Sequence, residues 1–141
     1  HTFYKKANMK ISNKEVPPGF EGELKNIAID FDGVIHDFSK GWHDGTCYGD
    51  PLPGSISAVK KLSENFNVII FTAKAKPSRP LVGGKTGTEL VSAWLNKHGI
   101  LDIVGEITSE KPRAQIYIDD KGYHFQNWKD TMEHIERCLN E

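Results

Sequence analysis

The sequence predicts an α/β fold, three-layer and doubly wound around a mainly parallel sheet. Three observations carry that expectation. Short apolar runs rich in β-branched residues alternate with amphipathic helical stretches from residue 26 onward. The runs are continuous rather than alternating, as in strands covered on both faces. Polar residues with catalytic chemistry stand where the runs end, not inside them. Strands alternating with helices are joined by right-handed crossovers, which makes neighbours parallel.

The elements follow in order. Residues 1–25 read as a lead-in, polar and broken by Pro17-Pro18-Gly19. Residues 1–8 have the look of a vector remnant, with Met9 as a natural start. The α/β domain occupies 26–141. Its first strand is 27–31 (IAIDF), and its first helix, 55–64, follows Pro53-Gly54 with Ile56, Val59 and Leu62 at helical spacing. A second strand spans 67–72 (NVIIFT). The next helix opens on a capping box, Thr86 to Glu89, carries Leu90, Val91, Trp94 and Leu95 on one face, and stops at Gly99. Residues 102–108 (DIVGEIT) give a weaker third strand and 115–119 (QIYID) a fourth. A closing helix over 129–140 is expected to turn Met132, Ile135 and Leu139 inward. The first strand is expected near the sheet centre, between the second and fourth, with helices on both faces.

A chain of 141 residues suits one domain. A formal net charge of −1 gives no overall electrostatic case for nucleic acid or an anionic membrane. Cys47 and Cys138 are too few for a disulfide scaffold and read as free thiols. No apolar run approaches the ~20 residues of a membrane span, so a cytoplasmic location is expected.

Ligands of open parallel sheets bind beyond the carboxyl ends of the strands. Here those ends carry Asp30 and Asp32, then Thr72, then Asp119 and Asp120. Asp30 and Asp32, two apart, leave the strand on the same side. Crowded carboxylates stay ionised when they share a hard cation, and Mg²⁺ takes oxygen ligands while keeping waters for a phosphate. One of the pair can attack phosphorus while the other moves protons.

DFDGV at 30–34, IIFTA ending the second strand, Lys111 in EKPRA and IDD at 118–120 together resemble the haloacid dehalogenase (HAD) superfamily of phosphohydrolases, in that family's order. The resemblance implies a small Rossmann-like HAD core with no separate cap domain, acting as a Mg²⁺-dependent phosphatase on phosphomonoesters. It makes Asp30 the nucleophile and Asp32 the general acid/base, which also offers Mg²⁺ its backbone carbonyl. Thr72, with Ala73 and Lys74, would hold the phosphoryl oxygens. Lys111 would neutralise the phosphoaspartate, with Lys74, Lys76 and Arg79 as rivals, and Asp119 with Asp120 would complete the metal site. A capless site goes, by analogy, with large substrates or with a neighbouring subunit as lid, hence a homo-oligomer.

Two stretches are decoys. Gly84-Lys85-Thr86 ends like a phosphate-binding P-loop, but that motif requires glycine where Arg79 stands. His36, His43, Asp44 and Cys47 suggest zinc, yet their spacing forms no paired-ligand pattern. Residues 36–54 read better as a glycine-hinged flap over the aspartates, from which Trp42 or His43 reaches the leaving group. Lys74, Lys76, Arg79 and Lys85 form a local anionic-substrate patch, which raises a second reading, a nucleotide or polynucleotide-end phosphatase. A third is a non-catalytic phosphate- or partner-binding module on the same fold.

Overall fold

The computed structural model describes residues 16–141. The proposed vector remnant and Met9 start lie outside the described residues. Four strands, β1 (Asn26–Asp30), β2 (Asn67–Phe71), β3 (Val104–Thr108) and β4 (Ile116–Ile118), and three α-helices, α1 (Ser55–Leu62), α2 (Gly87–Lys97) and α3 (Trp128–Leu139), alternate in the expected way. Single 3-10 turns occupy Glu21–Lys25, Ala73–Ala75 and Leu101–Ile103.

The sheet order is β3-β2-β1-β4, and every pairing is parallel. β1 therefore lies between β2 and β4, as expected. Register sets the two faces. Ile27 and Ile29 align with Val68 and Ile70 of β2, and Ile27 with Ile116 of β4. With Phe31 these side chains meet Val59 of α1 and Val91, Trp94 and Leu95 of α2 in one buried cluster. Each fully buried aliphatic side chain of that cluster stabilises the fold by ~1.5–3 kcal/mol.

The helix ends follow their sequence signals. Gly54, in the left-handed region at φ 81°, turns the chain into α1. Thr86 Oγ1 accepts from the Glu89 amide at 3.1 Å while Glu89 Oε1 accepts from the Thr86 amide at 3.0 Å, so the capping box forms. The P-loop-like GKT thus caps a helix. Just before it, Gly83 and Gly84 (φ 59° and 78°) turn a small hairpin in which Val82 and Lys85 exchange backbone hydrogen bonds.

The opposite face departs from expectation. Both α1 and α2 pack on the first face, and the β3–β4 crossover, residues 109–115, contains no helix. It crosses as an extended strap. The Asn26 side chain donates to the Arg113 carbonyl at 3.1 Å, and the Gln115 amide donates to the Asn26 carbonyl at 2.9 Å. Arg113 makes a two-pronged ion pair with Glu23 at 2.6 and 3.1 Å, tying the strap to the 3-10 turn before β1. The end of the lead-in is therefore built into the domain. Strap and turn flank an open cavity of about 340 Å³ over Ile69 and Glu106.

α3 is the second correction. Met132, Ile135 and Leu139 were expected inward, but they are 49%, 39% and 80% exposed, and Thr131 alone in that helix is buried. The helical spacing is right, since all three share a stripe, but no layer of the described domain covers it. No helix among the described residues is long and apolar enough to cross a membrane.

Candidate functional site

The chain turns sharply as it leaves β1. The Phe31 carbonyl accepts from the amides of Val34, Ile35 and His36 at 3.3, 2.9 and 3.0 Å, and the Gly33 amide donates to the His36 carbonyl at 2.9 Å. Gly33 makes this possible at φ +84°, and a Cβ there would sit 2.6 Å from Asp120 Oδ2. The loop after β4 therefore lies directly over the turn after β1, joining the two carboxylate motifs.

Asp30, Asp119 and Asp120 each bring a carboxylate oxygen within 4.8 Å of the others, the one such cluster found among the described residues. Asp30 Oδ1 accepts from the Phe31 amide at 2.8 Å. Asp119 Oδ1 accepts from the amides of Lys121 and Gly122 at 2.6 and 3.1 Å. Burial pushes Asp30 up to about 6 from its ordinary 3.8, the Phe31 amide opposes this, and the charges of Asp120, Asp119 and Asp32 add to the rise. Such a group favours either a proton or a cation. Three hard oxygen donors suit Mg²⁺ in kind.

Asp32 is held differently. Its Oδ1 lies 2.9 Å from His36 Nδ1 and its Oδ2 2.8 Å from Lys74 Nζ. Burial pulls its pKa upward, but the hydrogen bonds from His36 and Lys74 and the charge of Lys74 outweigh that and hold it below the ordinary carboxylate value. Lys74 is itself 1% exposed, with its ammonium 4.6 Å from the Phe38 ring centre and 4.9 Å from that of Trp42. Cationic nitrogen over aromatic faces is favourable when desolvated.

Thr72 closes β2 and is buried. Its Oγ1 accepts from the Lys74 amide at 3.2 Å, which leaves the hydroxyl proton for another acceptor. The N-terminus of α2 packs so tightly on the following turn that a Cβ at Gly87 would collide with the Lys74 carbonyl.

Residues 36–50 form a loop closed at its neck. The Asp37 amide donates to the Asp50 carbonyl at 2.9 Å and the Leu52 amide to the Ile35 carbonyl at 2.8 Å. Inside, Tyr48 Oη donates to the Gly41 carbonyl at 2.7 Å and accepts from the Lys40 amide at 3.0 Å. Trp42 contacts two cations, the Arg79 guanidinium at 4.4 Å and the Lys74 ammonium at 4.9 Å from its ring centre. Arg79 Nε donates to the Ala73 carbonyl at 3.1 Å, so it too belongs to the end of β2. His43 faces the Tyr48 ring and does not join the carboxylate cluster. Both cysteines are free, and burial pushes the Cys47 thiol up to about 11.

Comparison with protein-family models, with curated proteins and with solved structures finds no match. Geometry alone carries the site.

It brings Asp30, Asp119 and Asp120 together, and Asp32 with Lys74. Lys111 is placed otherwise. Its ammonium lies over the Tyr117 ring at 4.8 Å, and Tyr117 pairs with Ala28, two residues before Asp30 on the same sheet face. Lys76 and Lys85 are exposed. The partner that sequence reasoning missed is His36, which had drawn notice only as a zinc candidate. Its signal was spacing: a histidine four residues after Asp32, across a turn with glycine at its start.

Proposed function

We propose that this chain is a Mg²⁺-dependent phosphatase of the HAD type, hydrolysing phosphomonoesters through an aspartyl-phosphate. We read its Rossmann-like sheet as a HAD core working without a separate cap domain. One observation carries the reading: a three-carboxylate cluster and an ion-paired aspartate meet at the carboxyl ends of β1 and β4, beside Thr72 at the end of β2. Bound at Asp30, Asp119, Asp120 and the Asp32 carbonyl, Mg²⁺ would offset the charge of the phosphate and keep Asp30 ionised.

The protein groups divide the work. An Asp30 oxygen attacks phosphorus, and the bond to the leaving oxygen breaks with its electron pair. Water then attacks the phosphorus of the phosphoaspartate, gives a proton to Asp32, and releases inorganic phosphate and free Asp30. Two donors hold Asp32 ionised at rest, the form that takes that proton. Those donors also oppose its protonation for the first step, which favours aryl over alkyl leaving groups. The Thr72 hydroxyl donates to a phosphoryl oxygen. Lys74 is committed to Asp32, and the resemblance gives charge neutralisation to Lys111, whose ammonium would have to leave the Tyr117 ring to reach the phosphate.

The test is phosphate release from an aryl phosphate with and without Mg²⁺. Wild type is expected to turn over only with the metal and Asp30→Asn not at all. Equal activity of the two proteins overturns the reading. The stacking of Arg79 on Trp42 beside the site favours the nucleotide reading within the same chemistry, because both groups can engage a base or a second phosphate.

A further inference from the structure

We infer that His36 is the positioning residue for Asp32, acting as a neutral Nδ1–H donor whose tautomer is fixed by the backbone of Gly49. The inference rests on the phosphatase reading for its catalytic consequence, and on hydrogen-bond direction for the rest.

The His36 ring is 0% exposed. It stacks on Phe31 at 5.0 Å and meets Trp94 and Tyr48 edge-on at 5.6 and 5.3 Å. Its Nε2 lies 2.8 Å from the Gly49 amide nitrogen. A backbone amide only donates, so Nε2 must accept and carries no proton. The ring proton is therefore on Nδ1 and points to Asp32 Oδ1 at 2.9 Å. A proton on Nε2 would set two donors against each other in a site closed to water.

The amide that makes this choice is itself fixed. Trp94 Nε1, from α2, donates to the Gly49 carbonyl at 2.9 Å. A side chain at Gly49 would collide with the Asp37 carbonyl, which keeps this backbone close to the neck of the loop. A run of directed hydrogen bonds thus leads from α2 through the loop to the carboxylate. Lys74 takes the other oxygen, so His36 decides the rotation of the carboxylate about its own axis. A base that must take a proton from water on one line loses rate when turned, by up to ~10² for a displacement near 1 Å.

Two variants separate positioning from filling space. In His36→Asn the amide nitrogen falls near the Nδ1 position, keeping the donor to Asp32 and losing the acceptor for Gly49. In His36→Gln the amide falls near Nε2, keeping the acceptor and losing the donor. Both lose the stacked ring. On an aryl phosphate with saturating Mg²⁺, His36→Gln is expected to lose kcat at least ~10-fold, lower KM, and trap phosphoenzyme on acid quench, because water attack is slowed and phosphorylation is not. His36→Asn should stay within ~3-fold of wild type and trap no more label. Equal losses in the two variants, or losses without trapped phosphoenzyme, overturn the positioning role.

A spectrum of the wild-type protein keeps the question open to test even if a variant fails to fold. Two-bond ¹H–¹⁵N correlations of the His36 ring should show the Nδ1–H tautomer, and an Nε2–H ring refutes the inference whatever the activity. If wild type hydrolyses no phosphomonoester, the function and the catalytic role of His36 fall together. The ring spectrum then still decides whether the hydrogen bond exists.

Discussion

Replacing Lys74 with methionine keeps the stem and deletes the ammonium. The Nζ–Oδ2 distance is 2.8 Å, with Lys74 at 1% and Asp32 at 17% side-chain exposure. At an effective dielectric of ~20 the gross attraction is about 6 kcal/mol, and desolvation offsets most of it. Removing one partner of a fully buried pair costs ~3–5 kcal/mol. Asp32 keeps some water and the His36 donor, so about 2–3 kcal/mol is expected here. Asp32→Asn with Lys74→Met should recover much of that, for a coupling near 2 kcal/mol. Urea unfolding of the four proteins in metal-free buffer at pH 7 measures it, provided the slope stays constant. The sign with pH is fixed. Asp32 is held below its ordinary value, so its contribution is present above that value and lost as pH falls through the lowered one. A coupling under ~0.5 kcal/mol at pH 7 would show that the pair does not form in solution, and would restore Lys74 as a rival to Lys111.

Asp30 runs the other way. Raised from 3.8 to about 6, it keeps its proton in the folded state where the unfolded chain has lost it, so metal-free stability should fall as pH rises across that window. The full shift corresponds to ~3 kcal/mol, and half-burial reduces it to about 1–2; Asp30→Asn should lack this slope, and an unchanged slope would refute the cause. Gly33→Ala places a Cβ 2.6 Å from Asp120 Oδ2 at a left-handed φ. It should cost about 1–2 kcal/mol and weaken Mg²⁺ binding in titration calorimetry, whereas wild-type affinity would detach Asp120 from the metal site. Lys111→Ala, at an exposed position, should leave the urea midpoint within ~0.5 kcal/mol of wild type and yet lower kcat by ~10²-fold. An unaffected kcat would remove Lys111 from the reaction.

The apolar runs of β1 and β2, the glycine before α1 and the capping box of α2 were legible because each rests on neighbours within a few residues. The central place of β1 was expected as well, and the order β3-β2-β1-β4 bears it out. The inward stripe of α3 was misread for a physical reason. Periodicity tells which side chains share a face, while another element decides whether anything covers it, and none of the described ones does so at Met132, Ile135 and Leu139. The crossover of residues 109–115, read in the sequence without a helix, is long enough to pass the sheet extended and too short to hold a helix with its connections.

Sequence alone put Asp30, Asp32, Thr72, Asp119 and Asp120 at or just beyond strand ends, because the end of a strand is a local property. It did not determine that Lys74 would turn into the protein and pair with a carboxylate 42 residues away, or that His36 would set that carboxylate's second bond. Those pairings depend on which groups burial deprives of water together. Only the packed structure decides that: a buried donor must bond whatever acceptor the fold has brought beside it.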